Sequence, residues 1–162
     1  MAAHVGISAC LEGCPDNAAL LALNSIPGLL ADANFDRDEM TLTVPREKIV
    51  AACEAIQKAG YNFLEDVTCV DWYPSDPRFQ VTYHILSHSL KQRIRLIALV
   101  SENDAQLDSI IQVWPSANFY EREVFDLFGV RFNFHPNLIR IMMPDEWEGH
   151  PLRKDYPVEG YR

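Results

Sequence analysis

Two runs of alternating apolar and polar residues, joined by a short connection, constrain the fold of this chain more than any other feature. Apolar residues recur at every second position over 79–85 and again over 94–100. A period of two is typical of a strand with one buried face, because successive side chains point to opposite faces of a sheet. The connection at 88–92 is short enough to join the runs as a hairpin. The sequence therefore predicts an antiparallel sheet built around this pair of strands.

Further strands are predicted on both sides of the hairpin. Alternation over 40–44 indicates a half-buried strand, and β-branched and aromatic residues over 64–72 indicate another, which ends at proline-rich turn residues. Two short extended pieces are expected at 130–134 and 138–142. Together they predict a sheet of several strands.

Three helices are expected beside this sheet. Apolar residues at helical spacing predict one over 46–59, and a shorter helix is predicted over 109–114, before a proline. In a third, Asn118 is placed to cap the first turn, with Glu121 three residues on, and Gly129 supplies a left-handed end.

The chain is therefore predicted to be α+β, with a mainly antiparallel sheet, helices packed on one side and an extended, irregular C-terminal tail. We expect residues 1–34 to form a loosely attached segment of one or two short helices. Residues 35–143 form the α+β domain, and residues 144–162 form a tail suited to docking. A chain of 162 residues is long enough to bury one core of this kind.

Composition excludes several functional classes. A net charge of −9 would repel a phosphate backbone, so nucleic acid is not an expected partner. The longest apolar runs are of strand length, far short of the roughly 18 residues of a membrane span, so any membrane association is expected to be indirect. The N-terminus lacks the basic start and apolar stretch of a secretory signal, which predicts the cytoplasmic side and reduced cysteines.

Some acidic, histidine and cysteine residues could carry chemistry. Glu123 and Asp126 would share a helix face, as a carboxylate pair requires, but an ion pair from Arg122 to Asp126 is the simpler interpretation. His135 and His150, with acidic residues between them, could bind a metal, although their spacing is unlike that of zinc sites and favours structural roles.

A free-standing metalloenzyme using these four acidic and histidine side chains stays open as an alternative. The four cysteines could arithmetically hold zinc or an iron–sulfur cluster, but their spacings match no common pattern, so free thiols are expected. The chain also has no G-x-G-x-x-G, P-loop or G-x-S-x-G motif for nucleotide binding or covalent catalysis.

The stretch 119–156 is unusually dense in aromatic, charged, proline and glycine residues. Large aromatics and arginines dominate the energetic centres of protein interfaces, so we expect part of this stretch to contact another chain.

Three blocks within this stretch resemble the signature of one family. They read YEREVFDLFGVRF at 120–132, HPNLIRI at 135–141 and WEGHPLRKDYP at 147–157. The chain is identified on them as similar to the thirty-kilodalton subunit of respiratory complex I, which is the C subunit of bacterial NADH:quinone oxidoreductase. The resemblance covers about 38–162 and leaves residues 1–35 unmatched.

The resemblance implies a non-catalytic structural subunit of the peripheral arm, on the cytoplasmic side of the inner membrane. The enzyme passes electrons from NADH through FMN and iron–sulfur clusters to quinone, and those cofactors are expected in partner subunits, with none in this chain. The implied partners are the forty-nine-kilodalton D subunit and neighbouring subunits of the B and I types. An alternative is the equivalent subunit of a related membrane-bound hydrogenase or other-donor quinone dehydrogenase. The chain ends at Arg162, whereas many family members continue further, so an unfused subunit with fewer tail contacts is expected.

The resemblance also assigns a set of motif residues to structural or interface roles, with no catalytic, cofactor-binding or metal-binding residue among them. They are Glu121, Arg122, Glu123, Asp126, Gly129, His135, Pro136, Arg140, Trp147, Gly149, His150, Pro151, Arg153, Lys154, Asp155 and Tyr156.

Overall fold

A computed structural model describes residues 4–160 of the chain. Its centre is a six-stranded sheet, and the expected hairpin lies within it. The strands are β1 (His4–Val5), β2 (Asp32–Asp36), β3 (Glu39–Val44), β4 (Phe63–Asp71), β5 (Phe79–Ser87) and β6 (Gln92–Val100), in the spatial order β1-β2-β3-β6-β5-β4. Strands β5 and β6 pair antiparallel from Phe79 opposite Val100 to Ser87 opposite Gln92, which confirms the hairpin.

One strand pair departs from the antiparallel pattern. Strand β3 runs parallel to β6, with Met40 opposite Ile94 and Val44 opposite Ala98. Parallel neighbours need a long crossover, and here α3, β4 and β5 lie between the two strands in sequence. The sheet is thus mainly antiparallel, as predicted, with one parallel junction that local alternation could not reveal.

Within residues 4–160, four α-helices accompany the sheet: α1 (Ile7–Gly13), α2 (Ala18–Asn24), α3 (Ile49–Lys58) and α4 (Ala117–Phe128). The α+β class is confirmed. The alternating apolar side chains of β3, β5 and β6 are buried in a single core with the apolar faces of the helices, while their intervening residues are mostly half-exposed or exposed. Short 3-10 turns at Arg46–Lys48 and Glu102–Asp104, and a small parallel pair of β7 (Gln106–Asp108) and β8 (Arg131–Asn133), complete the regular structure.

The expectation of a loosely attached N-terminal segment is wrong. Ala19, Leu20 and Leu23 of α2 are fully buried, and strand β2 pairs along its whole length with β3. Each fully buried leucine contributes about 2 kcal/mol through removal of apolar surface from water. Helix α2 therefore belongs to the core, and residues 18–34 are an integral part of the domain.

Two local predictions around α4 also need correction. Residues 111–113 form a turn, so the expected helix over 109–114 is absent from this described stretch. Helix α4 begins after Ser116 without a side-chain cap, and Asn118 lies inside it. The predicted helix end is correct, because Gly129 closes α4 with a left-handed φ of 76°.

Candidate functional site

The buried carboxylate of Asp126 fixes the start of residues 140–160, which we call the C-terminal segment and which contain no helix or strand. Its Oδ2 accepts hydrogen bonds from three consecutive backbone N–H groups, those of Ile141, Met142 and Met143, at 2.9, 2.7 and 2.9 Å. Its Oδ1 accepts from Nη1 of Arg140 at 2.6 Å. Burial raises the pKa of Asp126, but the three amides and the guanidinium together outweigh that effect and leave the pKa below its ordinary value. The site is therefore a charge-assisted anchor.

Neighbouring contacts extend this anchor along the segment. Arg140 also donates from Nη2 to the carbonyl of Gly149 at 3.0 Å, and His150 Nδ1 lies 2.8 Å from the carbonyl oxygen of Asp126. Arg153 Nε donates to the carbonyl of Phe128 at 2.6 Å. The final carbonyls of a helix have no partner within the helix, so this segment caps the C-terminal end of α4.

The segment packs closely against Gly129 at that helix end. A Cβ at this position would lie 2.5 Å from Nε2 of His150 and 2.6 Å from Nη2 of Arg153, closer than real Cβ contacts. A side chain here would have to displace His150 or Arg153, which are both hydrogen-bonded to the end of α4, so these neighbours favour glycine in addition to the left-handed backbone.

A second buried ionic cluster ties residues 154–155 to the sheet. The fully buried Arg78 donates from Nε and Nη2 to both carboxylate oxygens of Asp71, at 2.9 and 2.8 Å, and from Nη1 to Asp155 at 3.0 Å. The backbone N–H of Lys154 donates to Asp71 Oδ2 at 2.9 Å. Hydrogen bonds from Arg78 lower the pKa of Asp71 to about 2 and that of Asp155 below its usual value. A Glu102 carboxylate also accepts from this guanidinium.

Glu121 is a buried acid of a different kind. Its side chain is fully enclosed, with Oε1 accepting from the N–H of Ile110 at 2.8 Å and Oε2 from the hydroxyl of Ser109. Nε2 of the enclosed His135 lies 4.0 Å from Oε2 and 3.2 Å from the carbonyl oxygen of Asn118. Burial raises the pKa of Glu121 to about 7 and lowers that of His135 below its ordinary value. Glu121 thus holds Ser109 and Ile110, just before the 111–113 turn, against α4 and does not act in a capping box.

The structure separates several residues that the sequence grouped. Glu123 is exposed on α4 while Asp126 is buried, so the two do not form a carboxylate pair. Arg122 donates to the carbonyls of Ile139 and Arg140, and Arg140 takes the place predicted for Arg122 beside Asp126. The helix ion pair was therefore the wrong pairing.

The remaining motif residues divide between exposed and partly buried positions. Lys154 and Pro136 are exposed, Trp147 is 38% exposed, and Pro151 is half-buried. Gly149 has a φ of +80°, and Tyr156 donates from its hydroxyl to the carbonyl of Glu148 at 3.3 Å.

Within residues 4–160, no three histidine, cysteine, aspartate or glutamate side chains are grouped as a metal ion would require. The four cysteines are unpaired thiols, and burial raises the pKa of Cys69 to about 12. Over the same residues, no helix has the length and apolar character to cross a membrane.

Helix α4, the loop that follows it and the anchored segment expose several large apolar side chains. Phe134 is 86% exposed, and its backbone has a left-handed φ of +62°, which is strained for a bulky residue. Other large apolar side chains left in solvent in this part of the chain are those of Phe119, Ile139, Ile141, Met142, Trp147 and Leu152. We call these side chains, with that of Phe134, the apolar face.

Sequence reasoning missed Arg78, Asp71 and Ser109. Arg78 follows a proline and directly precedes a strand, and its burial depends on residue 155, far away in sequence. The one available signal was Asp71, an acidic residue at the end of an apolar strand, where a buried partner is needed.

An α+β domain whose buried charges fix a segment covered with exposed aromatic and aliphatic side chains belongs to the class of proteins that dock onto partners. Residues 42–162 match the family model of the respiratory-chain NADH dehydrogenase 30 kDa subunit. The C subunit of NADH-quinone oxidoreductase from Citrifermentans bemidjiense is 46% identical over 147 residues, covering 90% of this chain and 91% of that protein. Its counterpart from Geobacter sulfurreducens is 46% identical over 148 residues, with the same coverage of 90% and 91%. The chain therefore belongs to the family of the 30 kDa subunit of respiratory-chain NADH dehydrogenase.

Two solved structures share the fold. A trypsin-resistant fragment (1–134) of Nqo5 has a TM-score of 0.59 at 34% identity, covering 62% of this chain and 83% of that one. A chain of the membrane-bound sulfane sulfur reductase, an archaeal respiratory membrane complex, has a TM-score of 0.74 and covers 85% of this chain and 82% of that one. Its 24% identity shows a common fold alone. The coverage of the curated relatives also reaches into the part of the chain before residue 35, which the sequence motifs left unmatched.

Proposed function

We propose that this chain is a non-catalytic structural subunit of the peripheral arm of NADH:quinone oxidoreductase, complex I. The enzyme passes electrons from NADH through FMN and iron–sulfur clusters to quinone. The observation that carries the proposal is the apolar face, which the carboxylate of Asp126 fixes at Ile141 and Met142 through hydrogen bonds to their N–H groups. A preorganised surface loses little conformational entropy on binding, so more of its contact energy becomes affinity.

The charges of the site support a role in packing. The carboxylates of Asp126, Asp71 and Glu121 each accept hydrogen bonds from other groups of this chain, at or beside α4 and the C-terminal segment. A carboxylate whose hydrogen bonds are all made within the folded chain holds parts of that chain together and is not presented to a substrate. These residues therefore hold the apolar face in place.

The proposed partners are the forty-nine-kilodalton D subunit and neighbouring subunits of the B and I types. FMN and the iron–sulfur clusters belong to partner subunits in this proposal. The chain lies on the cytoplasmic side of the inner membrane and is held there through the assembled complex. Its net charge of −9 gives it no electrostatic attraction to an anionic membrane surface, which supports attachment through other subunits.

A second candidate is the equivalent subunit of a related membrane-bound hydrogenase or other-donor quinone dehydrogenase. The fold shared with the sulfane sulfur reductase chain is the observation behind it. Identities of 41–50% to C subunits of NADH-quinone oxidoreductase favour the first candidate over this one.

The proposal is tested by recovering the tagged full chain from gently solubilised membranes. Mass spectrometry of the co-purified proteins and an assay of NADH oxidation by quinone should find a flavin and iron–sulfur complex with that activity. Activity with another donor would support the second candidate. A lone chain with stoichiometric metal would overturn both in favour of the metalloenzyme.

Matched variants connect the outcome to the apolar face. Met142→Asp places a charge on it, whereas Leu21→Asp places one at an exposed apolar position of α2, 45% exposed in the wild type. Recovery of partners should fall with Met142→Asp and stay at the wild-type level with Leu21→Asp. Equal recovery with both variants would exclude the apolar face as the docking surface.

A further inference from the structure

A groove beside the apolar face has aromatic walls and an acidic rim. It has a volume of about 660 Å³ and is lined by Trp147, Tyr156, Pro144, Glu146, Glu148 and Glu159. A second, adjoining hollow of about 400 Å³ shares Trp147, Tyr156 and Glu159 and continues to Val158. The two hollows lie next to each other, and together they have room for more than one side chain.

The walls of the groove are positioned by contacts within the C-terminal segment. The hydroxyl of Tyr156 donates to the carbonyl of Glu148 at 3.3 Å, which ties one side of the groove to the other. The N–H of Trp147 donates to the carbonyl of Pro144 at 3.0 Å, and that of Tyr156 to the carbonyl of Arg153 at 3.1 Å. Since Arg153 is itself fixed to the end of α4, the groove is built on the anchored part of the segment.

The charged residues that line the groove are all acidic. Glu146, Glu148 and Glu159 are exposed, and none of them forms an ion pair among residues 4–160. Arg153, which lies between Glu148 and Glu159 in sequence, already donates to the carbonyl of Phe128. Three uncompensated carboxylates around two aromatic rings attract a cation and repel an anion.

We propose that this groove receives a basic segment of a neighbouring subunit, with a lysine or arginine side chain lying against Trp147 and Tyr156. The carboxylates of Glu146, Glu148 and Glu159 supply charge-assisted acceptors for its N–H groups. The inference rests on the proposed function, because it takes the occupant from the same complex. It adds the chemistry of that occupant and a contact that adjoins the apolar face at Trp147.

Salt-dependent retention in the assembled complex tests the charge. A triple variant, Glu146→Gln, Glu148→Gln and Glu159→Gln, removes the acidic rim. A control triple variant, Glu12→Gln, Asp16→Asn and Glu54→Gln, removes three exposed carboxylates elsewhere. On complexes purified through a tag on a partner subunit, the groove variant should dissociate about tenfold faster than wild type in low salt, the effect of three surface ion pairs. The control variant should match the wild type.

The outcomes separate the two proposals. If both variants are retained like the wild type at every salt concentration, the groove proposal is overturned while the proposed function stands. If the wild-type chain itself is not retained by any flavin and iron–sulfur complex, the proposed function fails and the groove proposal fails with it.

Photocrosslinking identifies the occupant directly. Val158 lines the second hollow and is fully exposed, so p-benzoylphenylalanine placed there reports on the groove without replacing Trp147, Tyr156 or the three glutamates. Irradiation of the assembled complex should join it to a peptide of another subunit that contains lysine or arginine. Crosslinks confined to this chain, to lipid or to a peptide without a basic residue would overturn the proposal.

Discussion

Arg78 and Asp155 are 77 positions apart in the chain, yet the guanidinium Nη1 donates to the carboxylate Oδ2 at 3.0 Å. Asp71 accepts two further hydrogen bonds from the same guanidinium, so one buried cation joins the end of β4 to the C-terminal segment. Removing one partner of a buried ion pair costs far more than the pair contributes, because the remaining charge stays without compensation. The segment is therefore coupled to the folding of the sheet.

Asp155→Asn is expected to release the segment locally. Arg78 keeps both oxygens of Asp71, so the sheet should stay folded, while the N–H groups of Lys154 and Tyr156, which are hydrogen-bonded around this cluster, lose protection. Hydrogen exchange of the full chain, followed by mass spectrometry, should show about tenfold faster exchange over residues 153–157, equivalent to about 1.4 kcal/mol.

Asp145→Asn is the matched control for this change. It neutralises an exposed aspartate in the same segment that forms no ion pair within the described residues. Its exchange should equal that of the wild type. Equal protection in both variants would show that the segment is held without the ion pair between Asp155 and Arg78.

Gly129→Ala is expected to destabilise the full chain by more than the left-handed backbone alone accounts for. The backbone contributes about 1 kcal/mol, and the new Cβ would also meet His150 and Arg153 at 2.5 and 2.6 Å. Gly60→Ala separates the two effects, because Gly60 has a φ of +101° but its Cβ would meet only Leu90, at an ordinary 3.6 Å. Urea denaturation should give a loss of about 2–3 kcal/mol for Gly129→Ala and about 1 kcal/mol for Gly60→Ala. Equal losses would mean that the segment does not pack against Gly129.

Patterns that act over a few residues could be predicted from the sequence. The β5–β6 hairpin, helix α3 and the end of α4 at Gly129 all follow from local periodicity or backbone preference. The parallel pairing of β3 with β6 could not, because alternation gives the buried face of a strand without giving its neighbour.

The sequence identified many residues of the site but few of the contacts between them. Helical spacing placed Arg122 beside Asp126. In the structure, the guanidinium that binds the Asp126 carboxylate is that of Arg140, 14 positions further along. Likewise, the motif assigned Arg153 and Lys154 together to structural or interface roles, but Arg153 caps α4 and Lys154 is exposed. Contacts formed when an irregular segment folds back leave no period in the sequence.

Glu121 is expected to make stability fall as pH rises. In the folded chain its pKa is raised to about 7, whereas the unfolded chain loses this proton near its ordinary value of 4.5. Between these two values the folded state binds more protons than the unfolded state, so the free energy of unfolding decreases with increasing pH. The contribution is on the order of 3 kcal/mol between pH 4.5 and pH 8.

Glu121→Gln should flatten this pH dependence. Glutamine keeps an oxygen to accept from the N–H of Ile110 and carries no charge to desolvate, so the variant should be more stable than wild type at pH 8. Glu123→Gln, on the exposed face of the same helix, is the control and should keep the wild-type slope. Urea denaturation at pH 5 and pH 8 measures both. A slope unchanged in Glu121→Gln would show that the buried acid titrates near its ordinary value.

Phe134→Gly is expected to stabilise the isolated full chain while weakening its retention in the complex. The backbone at Phe134 has a φ of +62°, which costs about 1 kcal/mol for a residue with a Cβ, and the ring is 86% exposed and so contributes little burial. Arg37→Gly removes a similar strain at φ +51° on a side chain that is 92% exposed, without changing the apolar face. Thermal unfolding should give higher midpoints for both variants, and only Phe134→Gly should lose partners in pull-downs. A lower midpoint for Phe134→Gly would mean that the ring stabilises the folded chain itself. The backbone strain at Phe134 would then be offset within this chain and not by a partner.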